Sequence, residues 1–257
     1  QANRAYCMMN ISTKHLVNIT DIEQLKRLCK ALATLDAILC RDWEYRYYSY
    51  NKNWDQAKGE ELFEMKNGSG DEFQILFSKH GAVINGLAHE SEMSNWTEKE
   101  VPPQTLKEKI SVFFGNKKTE TVQTIWKGVI DDLPIDFHEF IFGEPIKSKG
   151  TTFCIWRLHN DIQWNIGNID FPNDKYRDGS KDLLFILDND PKTYITSASK
   201  YFDEQFEEHT LPIETVRYIY DNKPLTKEII VQITPQFDDF ENLKTELDEI
   251  GYQYENI

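Results

Sequence analysis

Between Thr20 and Leu39 apolar residues recur at Ile22, Leu25, Leu28, Cys29, Leu32, Leu35 and Leu39, and this stripe constrains the fold more than any other segment of the chain. Spacings of three and four put them on one face of an α-helix, and Thr20 with Glu23 three residues on reads as a capping box at its start. A stripe this long has to be covered by another layer. The following residues offer one: Trp43, Tyr45, Tyr47 and Ser49 alternate with Glu44, Arg46, Tyr48 and Tyr50, and so many aromatics favour a strand. Asn51 to Asn53 then reads as a turn towards Trp54.

Further on, Asn67-Gly68-Ser69-Gly70 is a turn leading into Phe73–Phe77, and Lys79-His80-Gly81 turns into a strand over 82–87. From Asn95 to Gly150 the pattern changes. Pro102 and Pro103 open a helix through Leu106, Ile110, Val112 and Phe113, a polar stretch covers 116–121, and Pro134 starts a short helix stopped by Gly143-Glu144-Pro145. After Gly150, Phe153–Leu158 reads as a strand, His159-Asn160-Asp161 as its turn and Ile162–Ile169 as the return strand.

A faint echo links the two ends of the chain. Phe153 precedes Trp164 by the same 11 residues that separate Trp43 from Trp54, and a Gly-Ser pair follows each second Trp before an apolar segment, Phe73–Phe77 or Leu183–Leu187. Recurrent hairpins explain it as well as a duplication does. Asp190 caps a helix begun by Pro191, with Tyr194, Ile195, Ala198, Tyr201, Phe202 and Phe206 as its stripe. Thr215–Tyr220 and Glu228–Thr234 read as strands, and Phe240, Leu243, Leu247 and Ile250 define a last helix ended by Gly251. The class expected is α+β, with antiparallel hairpin-rich sheets packed against amphipathic helices. The expected organisation is a charge-neutral helix-plus-hairpin half over 1–100, a helical connecting region over 101–150 and an acidic α+β half over 151–257.

Charge restricts the partners. The 257 residues carry 43 Asp and Glu against 29 Lys and Arg, a net charge of −14. Residues 1–128 balance at 17 each, whereas 129–257 hold 26 acids against 12 bases, so the whole excess lies in the second half. A nucleic-acid reader needs a basic face to displace counterions, so nucleic acid is disfavoured. No run approaches the roughly 18 apolar residues of a bilayer span, so no membrane partner is expected. The cysteines, Cys7, Cys29, Cys40 and Cys154, lack the paired spacing of a zinc site or a disulfide framework and read as buried thiols of a reducing cytoplasm. Gln1–Asn10 has no sustained apolar run and does not read as a signal peptide, and the Asn-x-Ser/Thr triplets at Asn10, Asn18, Asn67 and Asn95 are frequent by chance.

Catalytic motifs are not found. Of His15, His80, His89, His138, His159 and His209, only His89-Glu90 and His138-Glu139 adjoin a carboxylate. Adjacent residues diverge on either strand or helix, so neither pair makes a dyad. The run Asp170, Asp174, Asp178, Asp182, Asp188, Asp190 lacks calcium-loop order, and Gly68-Ser69-Gly70 opens onto a strand rather than a phosphate-binding helix. Neither a metal nor a cofactor is therefore expected, and no catalytic residue is assigned.

What remains is recognition. Alternation leaves some rings of the first strand away from the core, and half-exposed aromatics are common interface anchors. In the last helix Asp248 and Glu249 sit in the final turn, where the helix dipole disfavours anions by roughly 0.3–1 kcal/mol, which fits a face kept acidic for a basic partner. The expectation is a non-catalytic protein-binding protein, specifically a bacterial immunity protein that neutralises a basic toxin, contacting it through Tyr48, Tyr50, Trp54, Glu207, Glu208, Asp248 and Glu249. One alternative is an enzyme or small-molecule binder with a site between the halves, using His89, Glu90, His159 and Asp161 with Trp54 or Trp164 as a wall. Another is a scaffold or regulatory subunit, which would need a larger and more apolar interface.

Overall fold

The computed structural model of the protein describes residues 10–100, 102, 105–113, 119–172, 177–202 and 210–257. Helix α1 (Ile22–Leu39) carries the long stripe. Its N-cap is Asp21, one residue beyond the predicted Thr20: the Asp21 carboxylate accepts from Gln24 N–H at 2.9 Å.

Strands β1 (Tyr48–Asp55), β2 (Glu60–Lys66), β3 (Glu72–Phe77) and β4 (Gly81–Leu87) follow as antiparallel neighbours. The predicted turn at Asn51–Asn53 lies inside β1; the chain reverses over Gln56–Gly59, where Asp55 accepts from Lys58 N–H and Gly59 takes a positive φ of 69°. Strands β5 (Trp96–Glu100) and β6 (Thr119–Gln123) form a separate two-stranded ribbon, with helix α2 (Leu106–Phe113) between them in sequence, so part of the predicted polar stretch is a strand. Short helices α3 (His138–Phe142) and α4 (Ile146–Lys149) lead to β7 (Phe153–Leu158), which pairs with β4 and completes a sheet of order β1-β2-β3-β4-β7.

The register explains why this sheet is stable. Tyr50, Phe63, Ile75, Ile84 and Ile155 are directly paired across all five strands and form one buried row against α1. One residue along, Leu62, Leu76, Val83 and Trp156 form the opposite row, covered by Val129, Leu133, Phe137 and Ile141 from the connecting region. Both faces are therefore buried, and each such aliphatic or aromatic side chain contributes about 1.5–3 kcal/mol. The ranges 1–100 and 151–257 meet in this one sheet and share the α1-side core.

Beyond β7 the structure departs further from the sequence reading. Ile162–Ile169 forms no return strand; only Asn165 bridges to Trp156. Leu183–Leu187, the counterpart of strand β3 in the sequence echo, is helical, running from α5 (Ser180–Leu183) into a 3₁₀ turn over Leu184–Asp188. Helix α6 (Pro191–Tyr201) begins at Asp190 as predicted, while Phe206 lies outside the described residues. The two predicted strands are helices α7 (Ile213–Tyr220) and α8 (Lys227–Ile233), and α9 (Phe240–Ile250) ends at Gly251 in the left-handed conformation, φ 73°. In α7 the buried residues are Thr215, Val216 and Ile219, and in α8 Ile230 and Ile233, a three-to-four spacing that the β-branched content masks. The class is α+β: an antiparallel sheet with helices on one face and the connecting region on the other.

Candidate functional site

The site grows from one charged residue in the apolar run of α1. Asp36 is fully buried. One carboxylate oxygen accepts from the backbone N–H groups of Tyr47 and Tyr48, both at 2.9 Å, and the other accepts from the Tyr194 hydroxyl at 2.7 Å. A single side chain thus fixes where β1 starts and ties α1 to α6. Burial pushes its carboxyl up to about 6, against the opposing pull of these hydrogen bonds and the Arg46 guanidinium. Burial and the nearby Asp36 also push the Tyr48 and Tyr194 hydroxyls up.

This knot forms part of the inner lining of a cleft of about 830 Å³ between the start of β1 and the segment from α5 to the end of α6. The buried lining comprises Asp36, Tyr48, Met65, Leu183, Asp188, Tyr194, Ala198 and Phe202, and the exposed rim Asp182, Phe185, Lys192, Thr196, Lys200 and Tyr201. Apolar surface dominates, and the volume is within the usual range of ligand pockets, roughly 300–1,000 Å³. Asp188 accepts from Thr193 Oγ1 at 2.6 Å and from Asp190 N–H at 2.9 Å, and burial raises its carboxyl above the ordinary range.

The mouth is aromatic. Tyr201 meets Tyr47 edge-to-face with ring centroids 4.1 Å apart and donates its hydroxyl to the Tyr45 carbonyl at 2.7 Å. That carbonyl belongs to a 3₁₀ turn, Trp43–Tyr45, whose Trp43 and Tyr45 are 69% and 63% exposed. Arg46 secures the base of the turn, donating from Nε to the Cys40 carbonyl at 2.6 Å and pairing with Glu246 of α9 at 2.9 Å.

Several predicted contact residues stand elsewhere. Tyr48 and Tyr50 face the core, because the strand begins only at Tyr48 and its alternation turns Ser49 outward; Tyr50 donates to Glu61 at 2.7 Å. Of the two, Tyr48 reaches the cleft, from the inside. Trp54 is 39% exposed, six residues along β1 and so about 20 Å from Tyr48 at strand spacing. Asp248 and Glu249 are exposed on the last turn of α9, with Asp248 accepting from the Tyr254 hydroxyl, and Glu207 and Glu208 lie outside the described residues.

The residues of the alternative site do not line the cleft either. His89 sits 2.8 Å from Asp71, His159 3.2 Å from the Ser78 carbonyl, Asp161 accepts from Leu158 N–H, and the buried Trp164 donates to Thr20 O. Among the described residues no histidine lines the cleft, and no group of three or more His, Cys, Asp or Glu is gathered as a metal site. Cys29 and Cys154 are buried, Cys40 is partly exposed, and Cys7 lies outside the described residues. No helix among the described residues is long and apolar enough to cross a membrane.

Sequence reasoning missed Asp36 and Tyr201 as site residues and left Trp43 and Tyr45 out of the predicted contact set. A lone acid inside Leu35-Asp36-Ala37-Ile38-Leu39 was a usable signal, since an unpaired charge in an apolar stripe requires a partner. Comparison of the chain with protein-family models, with curated proteins and with solved structures returns no match.

Proposed function

We propose that this chain is a non-catalytic binding protein that holds a basic protein partner, in the manner of an immunity protein that neutralises a toxin by covering its working surface. The observation that carries the reading is the pair of exposed anchors, Trp43 and Tyr45, on a turn whose Tyr45 carbonyl accepts from Tyr201 on the rim of an aromatic-lined cleft. Tryptophan and tyrosine dominate interface energetics when they become desolvated, and a preformed recess beside them gives a partner side chain somewhere to dock. The acidic excess of the second half supports a basic partner, because complementary charge speeds encounter.

The test is affinity capture from the native host, followed by purification of the retained protein and measurement of its affinity for the wild type and for Trp43→Ala and Tyr45→Ala. A basic partner whose affinity drops at least tenfold with either substitution, and whose toxicity is suppressed by co-expression, supports the reading. A partner that binds both variants as tightly as the wild type sinks this surface as the interface. The cleft volume favours one second reading, a small-molecule binder; that reading expects a low-molecular-weight compound to co-purify and to be lost on heat denaturation.

A further inference from the structure

We infer that the cleft is a receptacle for an arginine side chain presented by the basic partner, an inference that rests on the binding-protein reading and specifies its chemistry. The cleft offers the two features that a guanidinium selects. Its mouth places the Tyr47 and Tyr201 rings against one another at 4.1 Å, with Phe185 on the exposed rim. Its buried carboxyls are Asp36 and Asp188, with Asp182 on the rim, and no basic side chain is buried in its lining. A guanidinium is more weakly hydrated than an ammonium, stacks on aromatic faces and pairs with carboxylates through a rigid fork, so arginine fits such a recess better than lysine. Lys192 and Lys200 also line it, but both stand exposed on α6, where water and salt screen them more than they screen the buried carboxyls.

The inner carboxyls are not idle. Asp36 and Asp188 each accept hydrogen bonds that hold α6, so they supply a field from fixed positions rather than moving to meet a ligand. A cation in the cleft would favour the ionised form of Asp36, which is the form its burial now disfavours. Binding is therefore expected to release a proton and to tighten as pH rises from 5 to 7. The groups that feel the Asp36 charge are Cys40 at the end of α1, Arg46, Tyr47 and Tyr48 at the start of β1, Tyr194 and Tyr201 from α6 and Tyr220 from α7. The hydroxyls of Tyr47, Tyr48, Tyr194 and Tyr220 are all raised further above that range.

The experiment titrates the full chain with N-acetyl-arginine methylamide, its neutral isostere N-acetyl-citrulline methylamide, and N-acetyl-glutamate methylamide, following the methyl resonances of Met65 and Ala198. The arginine probe is expected to shift both methyls saturably, with the citrulline and glutamate probes at least tenfold weaker. Tyr201→Leu and Asp182→Asn, both on the rim, are expected to weaken the arginine probe at least threefold, and Asp36→Asn to reduce the pH dependence of its binding, with Asp188 retaining its share. Equal binding of arginine and citrulline probes, preference for the glutamate probe, or no shift in either methyl overturns the inference. These results are independent of the captured partner: failure of the probe with a partner still sensitive to Trp43→Ala sinks the arginine pocket alone. A saturating probe with no such partner sinks the interface reading alone.

Discussion

Asp36 shows how one residue can set both an architecture and a titration. Two of its three accepted hydrogen bonds satisfy the backbone N–H groups at the entry to β1, and the third holds the Tyr194 hydroxyl of α6. Asp36→Leu would leave two backbone N–H groups and a tyrosine hydroxyl without an acceptor. At roughly 1–3 kcal/mol for each unsatisfied buried donor, the substitution should cost at least about 3 kcal/mol in urea unfolding. Asp36→Asn keeps a carbonyl oxygen for the two N–H groups and should fold. Its use is in the sign of the pH effect. A carboxyl raised from an ordinary 3.8 to about 6 binds more protons in the folded state, so its contribution to stability is largest below the unfolded value and falls as pH rises through the folded one. The stability of the wild type relative to Asp36→Asn should therefore fall by about 3 kcal/mol between pH 3.5 and 7 and then level off, at 1.36 kcal/mol per pKa unit. The difference isolates Asp36 from Glu61 and Asp71, whose lowered carboxyls act in the opposite direction. A flat difference across that range would remove Asp36 as a raised acid.

At the scale of elements, the sheet rests on close approaches as much as on apolar rows. Gly86 of β4 lies opposite Phe153 of β7, and a Cβ there would stand 2.0 Å from the ring. Gly86→Ala must displace a fully buried aromatic in the strand pair that joins the ends of the chain, and should lower stability by about 1–3 kcal/mol in thermal or urea unfolding. Gly86→Ala combined with Phe153→Leu, which frees space beside the new methyl, should recover part of that loss; no recovery would show that the ring is not the obstacle. The elements differ in how far the sequence foretold them. Helix α1 was legible because its period runs for five turns, and β3 and β4 because Gly-containing turns bracket them. Helices α7 and α8 were not, since over seven or eight residues Thr, Val and Ile suit either state and tertiary packing decides. The aromatic alternation predicts a strand from Trp43, five residues before the one that forms. The 3₁₀ turn that delays the strand depends on Asp42 capping Glu44 N–H and on Asp36 receiving the chain at Tyr47, a contact spanning 11 residues that no local pattern reports.

Across the whole molecule, charge and shape divide the work of recognition. The acidic excess belongs to the second half, whose helices α5 to α9 pack on the same side of the sheet as α1 and the cleft. Some of that charge is locally compensated, as in Glu214 with Arg217, Asp221 with Lys223, Glu241 with Lys244 and Asp238 with Arg41. Asp248 and Glu249 are exposed at the end of α9, where their field reaches outward. The linear sequence revealed this asymmetry, yet not the cleft, because the cleft's lining is drawn from residues 36–67 and 182–202 and exists only once β1 and α6 are side by side. The two features should separate kinetically. Surface charge governs diffusional encounter and is screened by salt, whereas desolvated aromatics govern how long a complex lasts. With the captured partner, Asp248→Lys together with Glu249→Lys should lower the association rate severalfold at low ionic strength and leave dissociation nearly unchanged. Trp43→Ala should do the reverse, raising the dissociation rate at least tenfold with little change in association. Surface-based kinetics at two salt concentrations distinguishes these outcomes. An association rate indifferent to both salt and the charge reversal would mean that the acidic helices do not face the partner, whatever the aromatic turn contributes.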